Sequence, residues 1–368
     1  MLSRTENTPI QVLVVDDSAV VRQVMHAVLS QEGDMNVTVA ADPIFAMQKM
    51  KQVRPHVIVL DLEMPRMDGL TFLRKIMAED PIPTLICSSV AARGTQAAIK
   101  AMQDGAVGIV TKPKLAVGNF LHESAVMLID AVRSAAAARI ARREAIRLQQ
   151  KHNVPAPRVS VSPLTTNGWG IIAIGASTGG TEAISTILTA MPKDSPGIVV
   201  VQHMPEHFTA AFARWLDNIC QVDVKEAEHG DVIIPGKAFI APGNKQMSIF
   251  RLGASYRIRV SDGPLVSRHR PSVNFLFRSV AKTAGSDALG VILTGMGDDG
   301  AEGLLEMRQA GAHTIAQDEA SCVVFGMPKE AISCGAVAEI LPLESIATTL
   351  INVGTRATRP VPETTLVD

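Results

Sequence analysis

Five times between residues 11 and 128, a short apolar run gives way to a helix-length segment. The runs are QVLVVDD (Gln11 to Asp17), VTVAA (Val37 to Ala41), HVIVLD (His56 to Asp61), IPTLICSS (Ile82 to Ser89) and AVGIVTK (Ala106 to Lys112). Between them lie segments such as SAVVRQVMHAVLSQE and TQAAIKAMQDG, the latter ending at Gly105, a suitable helix stop. Strands that are apolar nearly throughout need cover on both faces, and intervening helices supply it. The pattern predicts an α/β domain with a doubly wound, flavodoxin-like parallel sheet of five strands. Ligands of such sheets gather at the carboxyl ends of the strands.

The chain has 368 residues, which suggests more than one domain. Hydrophobic residues make up 47% and charged residues 19%, enough apolar material for two cores and too little charge for a disordered chain. A formal net charge of -1 gives no support to a nucleic-acid or membrane-surface role. No run of about 18 apolar residues escapes charge, and the stretch MLSRTENTPI has no apolar signal core. The expectation is a cytoplasmic protein with no membrane insertion. Cys87, Cys220, Cys322 and Cys334 show no C-x-x-C spacing and read as reduced, mostly buried thiols.

The strand ends of the first domain carry charge. Asp16 and Asp17 close the first run and Asp61 the third. In a sheet of order 2-1-3-4-5 these strands are neighbours, so three carboxylates converge. Like charges repel unless a cation joins them, and hard oxygen ligands suit Mg²⁺. Ser88 ends the fourth run, and Lys112 ends the fifth just before Pro113. A hydroxyl and an ammonium beside a carboxylate suit recognition of a phosphoryl group on it. A single Asp at a strand end means little, since Asp favours turns. The set D-D, D-x-x-x-P-x-x-D-G, S and K-P at successive strand ends is specific.

From Asp130 the composition changes to DAVRSAAAARIARREAIRLQQKH, rich in good helix formers. Arg139, Arg143 and Arg147 share one helix face. They suit either a docking helix for an acidic partner or a solvated extension of the domain's last helix, and the solvated extension is the simpler reading. NVPAPRVSVSPLTTNGW then reads as a linker. The expected organisation is a first domain at 11–128, a linker at 129–168, a second α/β domain with a mostly parallel sheet at 169–355, and a tail at 356–368.

The second domain opens with IIAIGASTGGT (Ile171 to Thr181), a buried strand running into a glycine turn and a helix. Glycines at a helix start can cradle a phosphate, but the spacing matches neither G-x-G-x-x-G nor G-x-x-x-x-G-K-[ST]. Gly175-Ala-Ser177-Thr-Gly179 fits G-x-S-x-G, a turn that exposes a serine hydroxyl as a nucleophile. A structural glycine turn with an incidental serine is the third reading. A nucleophilic serine needs a base, and the base an orienting acid. The run GIVVVQH ends at His203, and Leu289 to Leu293 leads into TGMGDDG with Asp298 and Asp299. Serine, histidine and aspartate thus all end strands on one predicted edge. Their chain order differs from that of α/β-hydrolases, but geometry defines a triad.

The first domain resembles a two-component receiver. That resemblance implies Asp61 as phospho-acceptor, Asp16 and Asp17 as Mg²⁺ ligands with Asp61 and the Glu63 carbonyl, and Ser88 and Lys112 as sensors of the phosphoryl group. Receivers usually carry an aromatic switch residue three positions before the lysine, where this chain has Ile109. The segments IGASTGGTEA, VQHMP, APG, DGPLVSRHRPSV, VILTGMGDDGA and ASCVVFGMP resemble the CheB family of chemotaxis protein-glutamate methylesterases. The family implies a hydrolase that demethylates glutamate methyl esters on chemoreceptors, releasing methanol, and deamidates glutamines. Ser177 would be its nucleophile, His203 its base and acid, and Asp299, second of the acidic pair, the orienting carboxylate. Thr178 and Met296 would line the site, with His269 near the cleft. The esterase reaction would need no cofactor. A chemotaxis histidine kinase would be the phosphodonor, and phosphorylation would release the receiver from the catalytic mouth. The rival outputs for a receiver are a DNA-binding domain, for which no basic recognition helix is present, and a nucleotide-binding domain.

Overall fold

The computed structural model describes residues 8–89, 92–112, 118–138 and 170–354. The first unit runs β1 (Ile10–Val15), α1 (Ala19–Ser30), β2 (Met35–Ala40), α2 (Pro43–Met50), β3 (Val57–Asp61), α3 (Gly69–Glu79), β4 (Thr84–Ser88), α4 (Ala92–Gln103), β5 (Gly108–Thr111) and α5 (Gly118–Ala136). The five strands form one parallel sheet in the order β2-β1-β3-β4-β5. A polar residue in each of the loops after β1, β2 and β3 starts the next helix. Ser18 accepts from Val21 N–H, Asp42 from Ile44 and Phe45, and Asp68 from Thr71, satisfying first-turn donors that no helix can satisfy itself. The central strands β1, β3 and β4 are buried on both faces, Val14, Val15, Ile58 and Leu60 being fully enclosed, while the edge strand β2 leaves Asn36 and Thr38 exposed.

The helix α5 runs past the boundary expected at 128, with Val132 and Ala135 fully buried in the first unit's core. DAVRSAA therefore begins as part of that unit. Arg139, Arg143, Arg147, Trp169 and the 356–368 tail lie outside the described residues.

The second unit runs β6 (Ile171–Ala176), α6 (Gly180–Ala190), β7 (Gly197–Gln202), α7 (Phe208–Ile219), β8 (Asp223–Glu226), β9 (Val232–Ile233), β10 (Lys237–Ile240), β11 (Gln246–Leu252), β12 (Ser255–Ser261), α8 (Val273–Thr283), β13 (Ala288–Ile292), α9 (Ala301–Gln309), β14 (His313–Gln317), α10 (Met327–Ser333), β15 (Glu339–Leu341) and α11 (Leu343–Gly354). Seven strands form a parallel sheet in the order β15-β14-β13-β6-β7-β10-β8, while β11-β12-β9 form a separate antiparallel sheet. The chain order reverses at β6, between β13 and β7, which is where an open parallel sheet opens a crevice for ligands.

The two units are packed together. Helix α4 lies against α6 and α7, and Val323 and Val324 bury themselves with Val107, Val110, Leu128 and Val132. Among the described residues, no helix is long and apolar enough to cross a membrane.

Candidate active site

Ser177 follows β6 directly, and His203 follows β7 in register beside it, as the pairing of Ala176 with Gln202 shows. His203 N donates to Ala176 O (3.0 Å) and Ser177 N donates to Thr294 O (3.0 Å), so the neighbouring strand ends are tied to the turn from both sides. The turn itself needs glycine. Gly179 has φ +77° and starts α6, and a Cβ there would lie 2.5 Å from Val323. A Cβ on Gly295, which faces the serine from the loop after β13, would lie 2.7 Å from Ser177 Cβ.

The loop after β13 also separates the two candidate acids. Asp298 is exposed. Asp299 is fully buried, and its Oδ2 lies 2.8 Å from His203 Nε2. The carboxylate accepts three more hydrogen bonds at the start of α8: Ser272 Oγ (2.7 Å) and Asn274 N (3.0 Å) to Oδ1, and Val273 N (2.7 Å) to Oδ2. Burial alone would raise its pKa. The hydrogen bond and charge of His203, with the Asn274 N–H and Ser272 hydroxyl, outweigh this and hold it below the usual carboxylate value. The positive end of α8 favours the anion further.

An ionised Asp299 can only accept, so His203 carries its proton on Nε2. Its Nδ1 is buried and has no hydrogen-bond partner. His269 stacks on His203 with ring centroids 3.7 Å apart and planes 7° from parallel. Its Nδ1 donates to Ser267 O (2.6 Å). Burial, then the neighbouring His203, pushes the His269 pKa down to about 3, so this ring stays neutral at ordinary pH.

These groups line a cleft of about 830 Å³ between the two units. Ser177, Thr178, His203, His269 and Met296 form one wall, while β5 and α5 form the other. The first unit touches the serine turn directly. Val107 O accepts from Gly179 N (3.1 Å), and the hydroxyls of Ser134 and Thr178 lie 2.5 Å apart. The cleft extends to Ser88 and Lys112 at the first unit's acid pocket.

In that pocket the carboxylate oxygens of Asp16, Asp17 and Asp61 lie within 4.8 Å of one another. Lys112 Nζ is 2.6 Å from Asp61 Oδ2 and 3.2 Å from Asp16 Oδ2. Burial raises the pKa of both Asp16 and Asp61 despite Lys112. Asp16 Oδ2 is buried with no hydrogen bond beyond its ion pair with Lys112, and a carboxylate oxygen of this kind suits a hard cation. Glu63 N donates to Asp61 Oδ1 (3.2 Å), and Ser88, buried at the end of β4, donates to Ser89 O (3.3 Å).

A response regulator receiver domain family matches residues 12–117, and the CheB methylesterase family matches residues 172–350. A protein-glutamate methylesterase/protein-glutamine glutaminase of Leptospira interrogans is 55% identical over 340 residues, covering 92% of this chain and 98% of the relative. The chain belongs to the CheB methylesterase family. A family member from Photobacterium profundum with the same description is 53% identical, covering 92% of this chain and 99% of its own. The CheB methylesterase catalytic domain of Thermotoga maritima is similar at 37% identity, over 51% of this chain and 99% of that domain, with a TM-score of 0.49. Beyond the residues singled out from the sequence of this CheB-family chain, the site uses several others. Gln202 is buried and its Nε2 donates to the carbonyls of Ser177 (2.8 Å) and His203 (3.0 Å). Ser272, Val273 and Asn274 cradle Asp299. The quoted segments VQHMP and DGPLVSRHRPSV contain Gln202, Ser272 and Val273, with Asn274 next in the chain, but nothing in the spacing marks Gln202 as a clamp or Ser272 as an aspartate's partner.

Proposed function

We propose that the protein hydrolyses glutamate γ-methyl esters on chemoreceptors, and glutamine side-chain amides, through an acyl-enzyme on Ser177, and that its receiver controls access to this site. One observation carries the reading: His203 gives Nε2 to a buried, ionised Asp299 and keeps Nδ1 unpartnered at the strand edge it shares with Ser177. That nitrogen is the base left for the serine proton. Ser177 Oγ adds to the ester carbonyl as His203 takes its proton. The main-chain N–H groups of Thr178 and Met296 are the donors proposed for the oxyanion. Collapse expels methanol, which takes the proton from His203. Water then enters, deprotonated by the same nitrogen, and releases the glutamate. An amide presents the same carbonyl and leaves as ammonia, so deamidation needs no further machinery. His269, stacked and neutral, shields the base from water.

Asp61 is the proposed phospho-acceptor, with a chemotaxis histidine kinase as donor. The buried oxygens of Asp16 and Asp61, with exposed Asp17 and the Glu63 carbonyl, suit Mg²⁺, which when bound would neutralise the carboxylates and the incoming phosphoryl oxygens. Lys112 and Ser88 stand where that phosphoryl group would be recognised. Lys112 directly follows β5, and Val107, which directly precedes it, holds Gly179. A shift at one end of β5 is thus a shift at the serine turn, which supports the coupling.

Methanol release from methylated chemoreceptor membranes tests both halves. Release that requires Ser177 and rises with a small phosphodonor is expected. Release undiminished in Ser177→Ala would overturn the acyl-enzyme, and release insensitive to phosphodonor would overturn the switch.

A further inference from the structure

The mechanism leaves Arg268 without a task. Val266 and His269 exchange two backbone hydrogen bonds (3.1 and 2.9 Å), which makes Ser267 and Arg268 the central pair of a two-residue hairpin turn. Their φ angles are +47° and +66°. Such turns favour Asn-Gly, because an ordinary side chain at positive φ is strained. Ser267 uses its place, its carbonyl accepting from His269 and its hydroxyl from Asn274 Nδ2 (3.1 Å). Arg270, on the far side of His269, spends its donors on Asn244 Oδ1 and Gly263 O. Among the described residues, no hydrogen bond of Arg268 serves the turn or its domain. Its side chain is 63% exposed at the cleft rim, one residue from the ring stacked on His203, and its Nη1 is 3.4 Å from Asp130 Oδ2 on α5. A strained turn thus presents a cation beside the catalytic base, and the receiver sets a carboxylate against it.

We infer that Arg268 is a specificity residue that binds carboxylates flanking the target glutamate on the substrate protein, and that Asp130 takes their place while the receiver covers the site. This rests on the proposed esterase reaction. Every turnover leaves a new glutamate, so a segment with several target sites carries carboxylates beside its remaining esters. On a helical segment, side chains three or four residues apart share a face, which puts a second carboxylate one turn from the ester under attack. Asp130 is the equivalent of such a group, supplied in cis.

The test uses the full-length protein and two helical peptides with the same central glutamate γ-methyl ester. One carries glutamates three and four residues away, the other alanines. The wild type should prefer the acidic peptide about fivefold in kcat/KM at low salt, through KM, and lose the preference at high salt. Arg268→Gln should remove the preference and Arg268→Lys should restore part of it. Asp130→Asn should raise the unphosphorylated enzyme's rate on the acidic peptide more than on the neutral one. Anisotropy with Ser177→Ala and both labelled peptides reads binding without turnover. If the wild type hydrolyses neither peptide while Arg268 still governs acidic-peptide binding, the esterase reading falls and only the carboxylate-binding role of Arg268 stands. A preference that survives Arg268→Gln, or an equal loss on both peptides, would overturn it.

Discussion

Replacing Asp299 by Asn tests the catalytic geometry most sharply, because the cost can be worked out atom by atom. The carboxylate is fully buried and accepts four hydrogen bonds, two on each oxygen. An amide of the same shape accepts on one side only. With its oxygen toward Ser272 and Asn274, its NH₂ faces two donors, the Val273 N–H and His203 Nε2–H. The imidazole escapes by moving its proton to Nδ1, so that Nε2 accepts from the amide. That removes the lone pair proposed to receive the serine proton. The expected loss in kcat is about 10⁴-fold, the scale seen when a triad histidine is held in the wrong tautomer. Val273 N–H has no such escape, and a buried donor left unpaired costs about 1–3 kcal/mol, a few degrees in the second unit's melting temperature. Ester hydrolysis and thermal unfolding of Asp299→Asn and Asp298→Asn read both effects. Asp298 is exposed, so its substitution should stay near wild type in both assays. If Asp299→Asn kept more than about a tenth of wild-type turnover, or Asp298→Asn lost most of it, the assignment of tautomer and acid would be refuted.

Asp61→Asn should keep the basal esterase rate and abolish both phosphoryl labelling and activation by a phosphodonor; activation that persists would move the acceptor elsewhere. The raised pKa values of Asp16 and Asp61 mean that the folded pocket binds protons more tightly than the unfolded chain, so their contribution to stability falls as pH rises above the ordinary carboxylate value. Mg²⁺ should therefore raise the receiver's melting temperature at pH 7 and lose the effect near pH 4, and Asp16→Asn should melt higher than the wild type at pH 7 without metal; a Mg²⁺ shift that is independent of pH would contradict this. Since His269 stays neutral down to about pH 3, its ring-proton NMR signals should show no titration of their own between pH 4 and 8, and a midpoint for His269 in that range would contradict this. Gly295→Ala sets a methyl against Ser177 Cβ and should cost at least a hundredfold in rate; unchanged turnover would mean that the loop yields freely.

The five strands of the first unit and β6, β7 and β13 of the second were legible as apolar runs that stop at a polar residue or glycine turn, and their ends follow from that pattern. Ser177, His203 and the TGMGDDG loop could therefore be set on one edge from sequence alone. What lies between β8 and β12 could not. Val232–Ile233 is two residues long, β11 buries Met247 and Ile249 at alternate positions on the side of α8, and β12 buries only Ile258, a weaker signal than a continuous apolar run. The choice between Asp298 and Asp299 had no local basis either, since it depends on which carboxylate meets the start of a helix some 25 residues away in the chain. Burial of α5 to Ala135 was hidden by composition: an alanine-rich stretch reads as solvated helix whether or not a hydrophobic neighbour lies above it.

Under the proposed control, a chain with Ile109 in place of an aromatic switch residue needs another way to couple its two units. An aromatic switch acts by moving a large side chain between buried and exposed positions. Ile109 is partly buried and lines the cleft. Coupling here has a shorter route available, because Val107 and Lys112 flank β5 and bond respectively to Gly179 and Asp61. Backbone hydrogen bonds and a strand of four residues transmit a displacement without needing a rotamer change. On that route the side chain at 109 tunes the packing of the closed state, while the carbonyl of Val107 sets whether the serine turn is held. Substituting Ile109 by Phe should therefore shift the basal rate by altering that packing and leave the phosphodonor response intact, whereas a response abolished by Ile109→Ala would place the switch in the side chain after all.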